Sequence, residues 1–139
     1  MELYPGLVAE KTITVESKHI ASHLGSGAVE VYATPTMVLH MEETSRDVVE
    51  KFLGPGRASV GSFVGIRHLA PTPVGMKVRI RSELLKVDGR ILHFKVEAWD
   101  EVEKVGEGEH TRVVIDMERF GGKLQLKKNA ALDGGKHHD

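Results

Sequence analysis

The chain has no cysteine, and this absence excludes three kinds of chemistry. A cysteine nucleophile, a disulfide framework and a thiolate-bound metal are all impossible among its 139 residues. The absence also fits a reducing compartment. Glu2 and Pro5 stand where a signal peptide would have basic residues and then a long apolar core. We therefore expect a cytoplasmic protein.

Excess charge and long apolar runs are missing as well. Lysine and arginine (19) nearly balance aspartate and glutamate (20), so the net charge of -1 offers no general field for nucleic acid. No apolar run approaches the length that crosses a membrane. We expect one domain over residues 1–128, a flexible tail over 129–139, and neither nucleic acid nor a membrane as partner.

The common catalytic and cofactor-binding motifs are absent from the sequence. There is no Gly-x-Ser-x-Gly elbow, no P-loop, no Gly-x-Gly-x-x-Gly turn and no His-Glu-x-x-His pair. His19 and His23 have the helical i, i+4 spacing but no acidic third ligand nearby. We expect no cofactor and no metal site, and we interpret Gly54-Pro55-Gly56 as a turn.

The strongest local signal predicts a helix over residues 35–53. Pro35 suits the first helical position, and Thr34 is a good N-cap whose hydroxyl can bond an orphan amide. At about 100° per residue the apolar side chains occupy one sector about 160° wide, and Glu42 falls inside that sector. One face is therefore expected to be buried, with a carboxylate on it. The apolar set consists of Met37, Val38, Met41, Val48, Val49, Phe52 and Leu53.

Before this helix the pattern predicts a strand over 11–15 and a short extended segment over 29–33. Between them, Ser17 could cap a helical turn over 18–24 that Gly25 ends.

After the helix the pattern predicts four strands joined by short turns. Asp88-Gly89 is a hairpin signal, and Gly121-Gly122 is expected to loosen the chain into its tail. This order predicts an α+β fold in which one long helix lies on an antiparallel sheet. The predicted strands cover residues 57–69, 76–87, 92–99 and 106–117, and the last of them carries Val113, Ile115 and Met117.

Glu42 and His68 are the side chains in this region that require an explanation. A carboxylate on an apolar helix face is costly unless it has a partner such as His68 or Thr34, although at the edge of the sector Glu42 could instead reach solvent or a partner subunit's arginine. His68 follows Val60, Ser62, Val64 and Ile66 at a period of two, so an inward face would direct its imidazole toward the helix. A hydrogen-bonded strand histidine without chemistry is the alternative interpretation.

Three segments together resemble the fluoroacetyl-CoA thioesterase family of hot-dog-fold proteins, over roughly residues 10–120. They are Ala33-Thr34-Pro35-x-Met37-Val38-x-x-Met41-Glu42, Gly56-x-x-Ser59-Val60-Gly61, and Arg67-His68-Leu69-Ala70-Pro71-Thr72 with Gly75. The resemblance implies an antiparallel sheet wrapped around a long central helix. It also implies pairing into homodimers whose interface houses an acyl-CoA site.

Thioester hydrolysis is the activity that this resemblance implies. The family's Thr, Glu and His triad falls on Thr34, Glu42 and His68, and the glycine near its acyl group falls on Gly61. The family's aromatic lid residues lie before the helix, where this chain has no phenylalanine. The resemblance therefore does not identify the acyl group of the substrate. The lid region offers His19, Ile20, His23, Leu24 and Val29 instead.

The helix start, Thr34 to Met37, is expected to stabilise an oxyanion with its free backbone amides. Pro35, Thr36 and Met37 are therefore the expected substrate-binding residues there. Glu42 would either attack the carbonyl to give an anhydride or deprotonate a water, with Thr34 orienting the carboxylate and His68 activating the water. Both routes stay open on the sequence alone.

Two other functions are compatible with the same fold. One is a non-catalytic protein that binds acyl-CoA or another small molecule. The other is an enoyl-CoA hydratase, which needs an Asp and His pair in place of a helix-borne Glu; the Asp-x-x-x-x-His spacing occurs only at Asp88–His93, across the predicted hairpin turn, and at Asp133–His138, in the predicted tail. Cations that could hold the CoA phosphates are Arg57, Arg67, Arg119, Lys123, Lys127 and Lys128.

Overall fold

The computed structural model describes residues 2–20 and 29–134, and its centre is a single five-stranded antiparallel sheet. The strands lie in the order β1-β3-β4-β5-β2, with a long helix, α1, packed across one face. This is the α+β arrangement expected from the sequence. The strands are β1 (Val8–Thr14), β2 (Arg57–His68), β3 (Lys77–Asp88), β4 (Ile91–Trp99) and β5 (Lys104–Asp116), and the helices are α1 (Thr34–Val49) and α2 (Met117–Gly134).

Helix α1 buries an apolar face that also carries hydroxyl groups. Met37, Met41 and Val49 are almost completely buried, as the helical period predicted. Ser45 is also fully buried, and its hydroxyl donates to the Met41 carbonyl at 2.8 Å. Because that bond uses its only proton, the Ser82 hydroxyl on β3 must donate to Ser45 Oγ across 2.7 Å. The helix is thereby fixed to the sheet by a polar contact as well as by packing.

Two apolar clusters fill the space between α1 and the sheet. The first lies under the start of the helix, where Met37 and Met41 pack against Tyr32, Ile80 and Val96. The second lies under its end. That cluster consists of Val48, Val49, Leu53, Leu84, Leu92, Phe94 and Val114. A 3-10 turn over Glu50–Phe52 continues the helix, so the predicted end at residue 53 is close to the observed one.

Strand β2 contains a bulge that the sequence analysis did not predict. Its register with β5 shifts between Gly61 and Phe63, which leaves Ser62 as the extra residue. Ser59 and Gly61 face α1 before the bulge, whereas Ile66 and His68 face it afterwards. The predicted inward set ran from Val60 to His68 at every second residue. It was wrong for Val60 and Ser62, because a single extra residue moves the alternation to the other face.

The β3–β4 hairpin agrees with its sequence signal. Strand β3 ends at Asp88, β4 begins at Ile91, and Gly89 has a φ of 60°, which favours glycine in this tight turn. Near the N-terminus, a 3-10 turn covers Ser17–His19. Its N-cap is Glu16, so the predicted capping by Ser17 was wrong, and Ile20 is already extended. The remaining predicted positions, 21–24 with the end at Gly25, lie outside the described residues. The predicted segment 29–33 forms single bridges, Val31 with Pro73 and Tyr32 with Ile20.

The chain after β5 differs most from expectation, because Gly121-Gly122 lies inside helix α2 and does not loosen the chain. The Arg119 amide donates to the Asp116 carboxylate at 3.0 Å, which is the pattern of an N-cap. Each interior glycine costs a helix about 1 kcal/mol relative to alanine, and leucine, lysine, glutamine and alanine in the following turns offset that cost. A flexible tail from residue 129 stays a prediction, with helix observed to Gly134. Within the described ranges, no helix has the length and apolar character needed to cross a bilayer.

We expect Leu92→Ala to lower the free energy of unfolding by about 2–5 kcal/mol, because it removes a fully buried side chain from the second cluster. Leu132→Ala is the matched control, since Leu132 is mostly exposed on α2 and its loss should change stability by less than about 0.5 kcal/mol. Urea denaturation measures both. Equal effects of the two substitutions would contradict this packing.

Candidate active site

The start of α1 and the end of β2 bring Thr34 and His68 together. Thr34 Oγ1 lies 2.7 Å from His68 Nδ1, although the two residues are 34 positions apart. The helix N-cap is Ala33, which makes Thr34 the first helical residue, so the predicted capping role for Thr34 was wrong. The hydroxyl bonds the imidazole because the helix start is turned toward the end of the strand. The Thr34–His68 pair is thus a product of the tertiary fold.

His68 has one ring nitrogen without a partner. Its Nε2 atom is buried and has no hydrogen-bond partner among the described residues. Burial lowers the pKa of His68, and the backbone of Ala70 raises it by a smaller amount. The ring edge packs against Tyr32, with the centroids 6.5 Å apart. The pair opens on a cleft of about 470 Å³, whose wall includes Tyr32, Ala33, Pro35, Leu69 and Pro71.

Glu42 lies further along α1, against the bulged part of β2. It is half-buried, and its Oε2 atom would lie 3.1 Å from a Cβ atom placed on Gly61. Glycine at 61 therefore leaves the carboxylate the space that it occupies. The inward orientation expected for Glu42 is observed, but the Thr34 hydroxyl is bonded to His68, and the neighbours of Glu42 are Gly61, His110 and Arg112.

Arg112 is a buried, positively charged residue beside Glu42, and no sequence pattern pointed to it. Its Nε and Nη2 atoms donate to Ser59 Oγ and to the Ser59 carbonyl, each at 2.8 Å. Its Nη1 atom lies 3.2 Å from His110 Nε2. Burial lowers the pKa of Arg112, while the negative charge of Glu42 raises it. Glu42 therefore has a buried arginine of its own chain nearby.

Strand β5 buries polar residues of this region. The apolar residues noted on it from the sequence, Val113, Ile115 and Met117, lie at odd positions. In the structure the even positions His110, Arg112 and Val114 are the buried ones. Two of these three residues are polar, which hides the inward face from a reading of hydrophobicity. A period-two set of His, Arg and Val beside a predicted glycine site was the available signal.

A second buried polar cluster lies behind the Thr34–His68 pair. Tyr32 Oη is 2.5 Å from His40 Nδ1, and the His19 and His40 rings lie 5.3 Å apart, edge to face. Burial raises the pKa of Tyr32 well above its usual value, as does the charge of Glu43, so its hydroxyl stays protonated and donates to His40. Burial, followed by nearby His19, lowers the pKa of His40. These contacts fix the Tyr32 ring, which forms part of the wall of the cleft beside His68.

No three potential ligands converge on a metal position within residues 2–20 and 29–134. His23, which was considered with His19, lies outside the described residues. The Glu16 backbone amide donates to His19 Nδ1 at 3.0 Å, so that nitrogen already has a partner.

The helix start offers fewer free amides than expected. Pro35 has none, and the Met37 amide donates to the Ala33 carbonyl at 3.0 Å. The Met37 side chain is also fully buried in the core. The amides of Thr34 and Thr36 belong to the first helical turn, which has no intrahelical acceptors. Of the predicted substrate-binding group, Met37 therefore offers neither its amide nor its side chain.

Solved structures share this architecture over nearly their full length. The fluoroacetyl-CoA thioesterase structure superposes with a TM-score of 0.85 at 32% sequence identity, covering 91% of this chain and 98% of that one. A Thermus thermophilus hypothetical protein, described as a thioesterase superfamily member, gives 0.87 at 28% identity, covering 95% and 98%. The fold is therefore the hot-dog fold, in the class of thioesterases.

The family follows from the sequence comparisons. The family model described as fluoroacetyl-CoA-specific thioesterase matches residues 15–118. The fluoroacetyl-CoA thioesterase of Streptantibioticus cattleyicolor is 40% identical over 101 residues, which is 73% of each chain. The protein belongs to the fluoroacetyl-CoA-specific thioesterase family, a family of thioester hydrolases.

We expect His40, His68 and His110 to titrate below 6.5, because burial is the main influence on the pKa of each. In the unfolded chain they would titrate near about 6.5. Below that pH the unfolded state binds protons that the native state does not, so stability should fall as the pH decreases from 7 toward 5. NMR titration of the imidazole Cε1–H signals measures each pKa. A midpoint at or above 6.5 for any of the three would contradict the described burial.

Proposed function

We propose that the protein hydrolyses small acyl-CoA thioesters to a carboxylic acid and CoA. The observation that carries this proposal is the pairing of Thr34 with His68 at the start of the same helix that carries Glu42. A helix start, a hydroxyl–imidazole pair and a carboxylate are the parts that acyl transfer to water requires. Membership of a thioester hydrolase family supports the same reaction. CoA is part of the substrate, and we expect no additional cofactor.

The helix start is suited to the charge that develops on the thioester oxygen. Amides at a helix N-terminus carry a partial positive charge and point along the axis. With Pro35 lacking an N–H and the Met37 amide bonded to Ala33, the amides of Thr34 and Thr36 are the available donors. They would stabilise an oxyanion in the cleft beside His68.

Glu42 supplies the group that begins the reaction. Its carboxylate either attacks the carbonyl carbon, which gives an enzyme-bound anhydride that water then hydrolyses to the acid and free Glu42, or takes a proton from a water that attacks. In both routes the C–S bond breaks, and CoA leaves as a thiolate with a reference pKa of about 8.5. The guanidinium of Arg112 lies beside the Glu42 carboxylate. His68, with Nε2 unpartnered, can give and take the proton of the attacking water or the leaving thiol.

The spacing along α1 indicates that one chain does not complete a site. Thr34 and Glu42 are eight residues apart, or about 12 Å along a helix. That separation is too long for both ends to act on one carbonyl group. A two-fold dimer places the same patch of each copy face to face, so Glu42 of the partner subunit can reach the Thr34–His68 pair. We therefore propose a homodimer with two shared sites.

The free edge of the sheet offers a surface for this pairing. Strand β2 is the last strand of the sheet and twelve residues long, and Phe63 and Val64 are 52% and 39% exposed on it. Leu39 on α1 is also 52% exposed. Long unpaired edge strands with apolar side chains pair readily with another chain. The dimer, the cytoplasmic location and the phosphate-binding cations remain predictions.

The first experiment replaces Glu42 with glutamine. We expect Glu42→Gln to lower kcat about 100-fold or more, because the amide can neither attack nor accept a proton. The assay measures thiol release from a panel of small acyl-CoA esters that includes acetyl-CoA and fluoroacetyl-CoA. Glu43→Gln is the matched control, since Glu43 pairs with Lys11 on the other side of α1.

An unaffected Glu42→Gln variant would contradict the assigned role of Glu42. Saturable binding of CoA esters by the wild-type protein, with no turnover of any ester, would contradict hydrolysis and favour the non-catalytic binding protein.

The second experiment tests the shared site. Light scattering should give twice the chain mass of 15.3 kDa. Glu42→Gln and His68→Ala should each be inactive alone, yet heterodimers purified with two tags should regain about half of the wild-type activity, because one of their two sites is intact. A monomer would exclude the dimer. A dimer whose mixed form regains nothing would show that each site lies within one chain.

A further inference from the structure

We propose that His110 is a positioning residue, which fixes the β2 bulge and the Arg112 guanidinium so that both parts of the active site face α1. This inference rests on the proposed function. His110 lies on β5, beneath the site, and contacts neither Thr34 nor His68 in the described hydrogen bonds. Its effect is exerted through the backbone of β2 and through Arg112.

The bulge decides which residues of β2 can take part in catalysis. Gly61 and His68 are seven positions apart, and side chains at an odd separation on a regular strand point to opposite faces. Both nevertheless face α1, Gly61 beside Glu42 and His68 beside Thr34. The extra residue, Ser62, shifts the alternation by one position, so that Gly61 and His68 face the same side of the sheet. Without the bulge, one part of the site would lie on the outer face of the sheet.

His110 bonds the backbone of β2 at the bulge. Its Nδ1 atom lies 2.7 Å from the carbonyl oxygen of Phe63, the residue at which the shifted register begins. The ring is almost completely buried and stacks on Phe94 at 6.1 Å between centroids. A bulge disrupts the regular ladder, and a side-chain donor can compensate for the lost backbone bonds. His110 therefore holds the carbonyl of Phe63 in the bulged conformation.

The two contacts of His110 require one form of its ring. A carbonyl oxygen only accepts, so Nδ1 must carry the proton that bonds Phe63. Arginine only donates, so Nε2 must be the unprotonated nitrogen that accepts from Arg112 Nη1 at 3.2 Å. A protonated imidazole would place an N–H against the guanidinium. The neutral Nδ1–H tautomer is the form that satisfies both neighbours.

The acceptor at Nε2 completes the fixation of Arg112. Ser59 binds Nε and Nη2, and His110 binds Nη1, so each nitrogen of the guanidinium has a described contact. Nη1 would lie 3.7 Å from a Cβ atom on Gly61, next to the Glu42 carboxylate. Arg112 is thus oriented by contacts with its own strand and with β2. Its guanidinium is therefore held beside the Glu42 carboxylate.

The test separates the two contacts with side chains that retain one each. His110→Asn keeps a donor near the Nδ1 position, His110→Gln keeps an acceptor near the Nε2 position, and His110→Leu keeps neither. We expect His110→Leu to lower kcat about 100-fold with KM close to the wild-type value, because small displacements of catalytic groups have effects of that size. The Asn and Gln variants should lie between wild type and Leu.

His93→Leu is the matched control, since His93 lies on the neighbouring strand β4 and pairs with Thr111 rather than with the site. It should keep the wild-type kcat. Thermal unfolding of every variant shows whether the chain still folds. A folded His110→Leu variant with wild-type kcat, or Asn and Gln variants both as slow as Leu, would overturn the proposal.

Two measurements on the protein do not depend on its activity. The ¹⁵N NMR spectrum of the wild-type ring should show a protonated Nδ1 and an unprotonated Nε2. Amide hydrogen exchange at residues 61–65 should be faster in His110→Leu than in wild type and nearly unchanged in His110→Asn. The opposite tautomer, or unchanged exchange in the Leu variant, would overturn the positioning role even if the protein is a thioesterase. Inactive wild-type protein with the expected spectra would instead overturn the proposed function alone.

Discussion

One extra residue in an edge strand controls the geometry of this molecule. A strand alternates its side chains strictly between two faces, so any two groups on it share a face only at even spacing. Gly61 and His68 are at odd spacing, and the bulge at Ser62 is what lets both face the central helix. The position of the glycine wall beside Glu42 and the bond between Thr34 and His68 both depend on that local irregularity.

The helix above this strand combines packing with polar contacts. Its buried face contains methionine and valine, but also His40, Thr44 and Ser45. Each of these three polar groups has a partner, in Tyr32, in the His40 carbonyl, and in the Met41 carbonyl with Ser82. Because buried polar groups are costly when unpaired, the Tyr32–His40 and Ser45–Ser82 bonds, which join the helix to other segments, restrict its rotation and its height above the sheet. That restriction places Thr34 at the cleft and Glu42 over the bulged part of β2.

The ionisable groups of the site have different surroundings. The histidines near it are held neutral by burial, whereas Glu42 has the buried Arg112 for a neighbour. A neutral imidazole can exchange protons with water or a thiol near neutral pH. The chain thereby separates the Thr34–His68 pair, at the start of α1, from Glu42 in the middle of the helix, and a second copy is proposed to bring the two together.

The sequence by itself determined the order of the elements, the long amphipathic helix, the hairpin at Asp88-Gly89 and the inward orientation of Glu42, because these follow from local spacing. It was wrong on the capping by Thr34, on the chain after Gly121 and on the inward face of β2 before the bulge. Helical propensity outweighed two glycines in α2. On β5 the buried positions carry His110 and Arg112, whose partners Phe63 and Ser59 lie 47 and 53 residues earlier. Only the tertiary structure could decide these pairings and the phase of β2, since a bulge changes which face a residue occupies without changing the composition that sequence patterns measure.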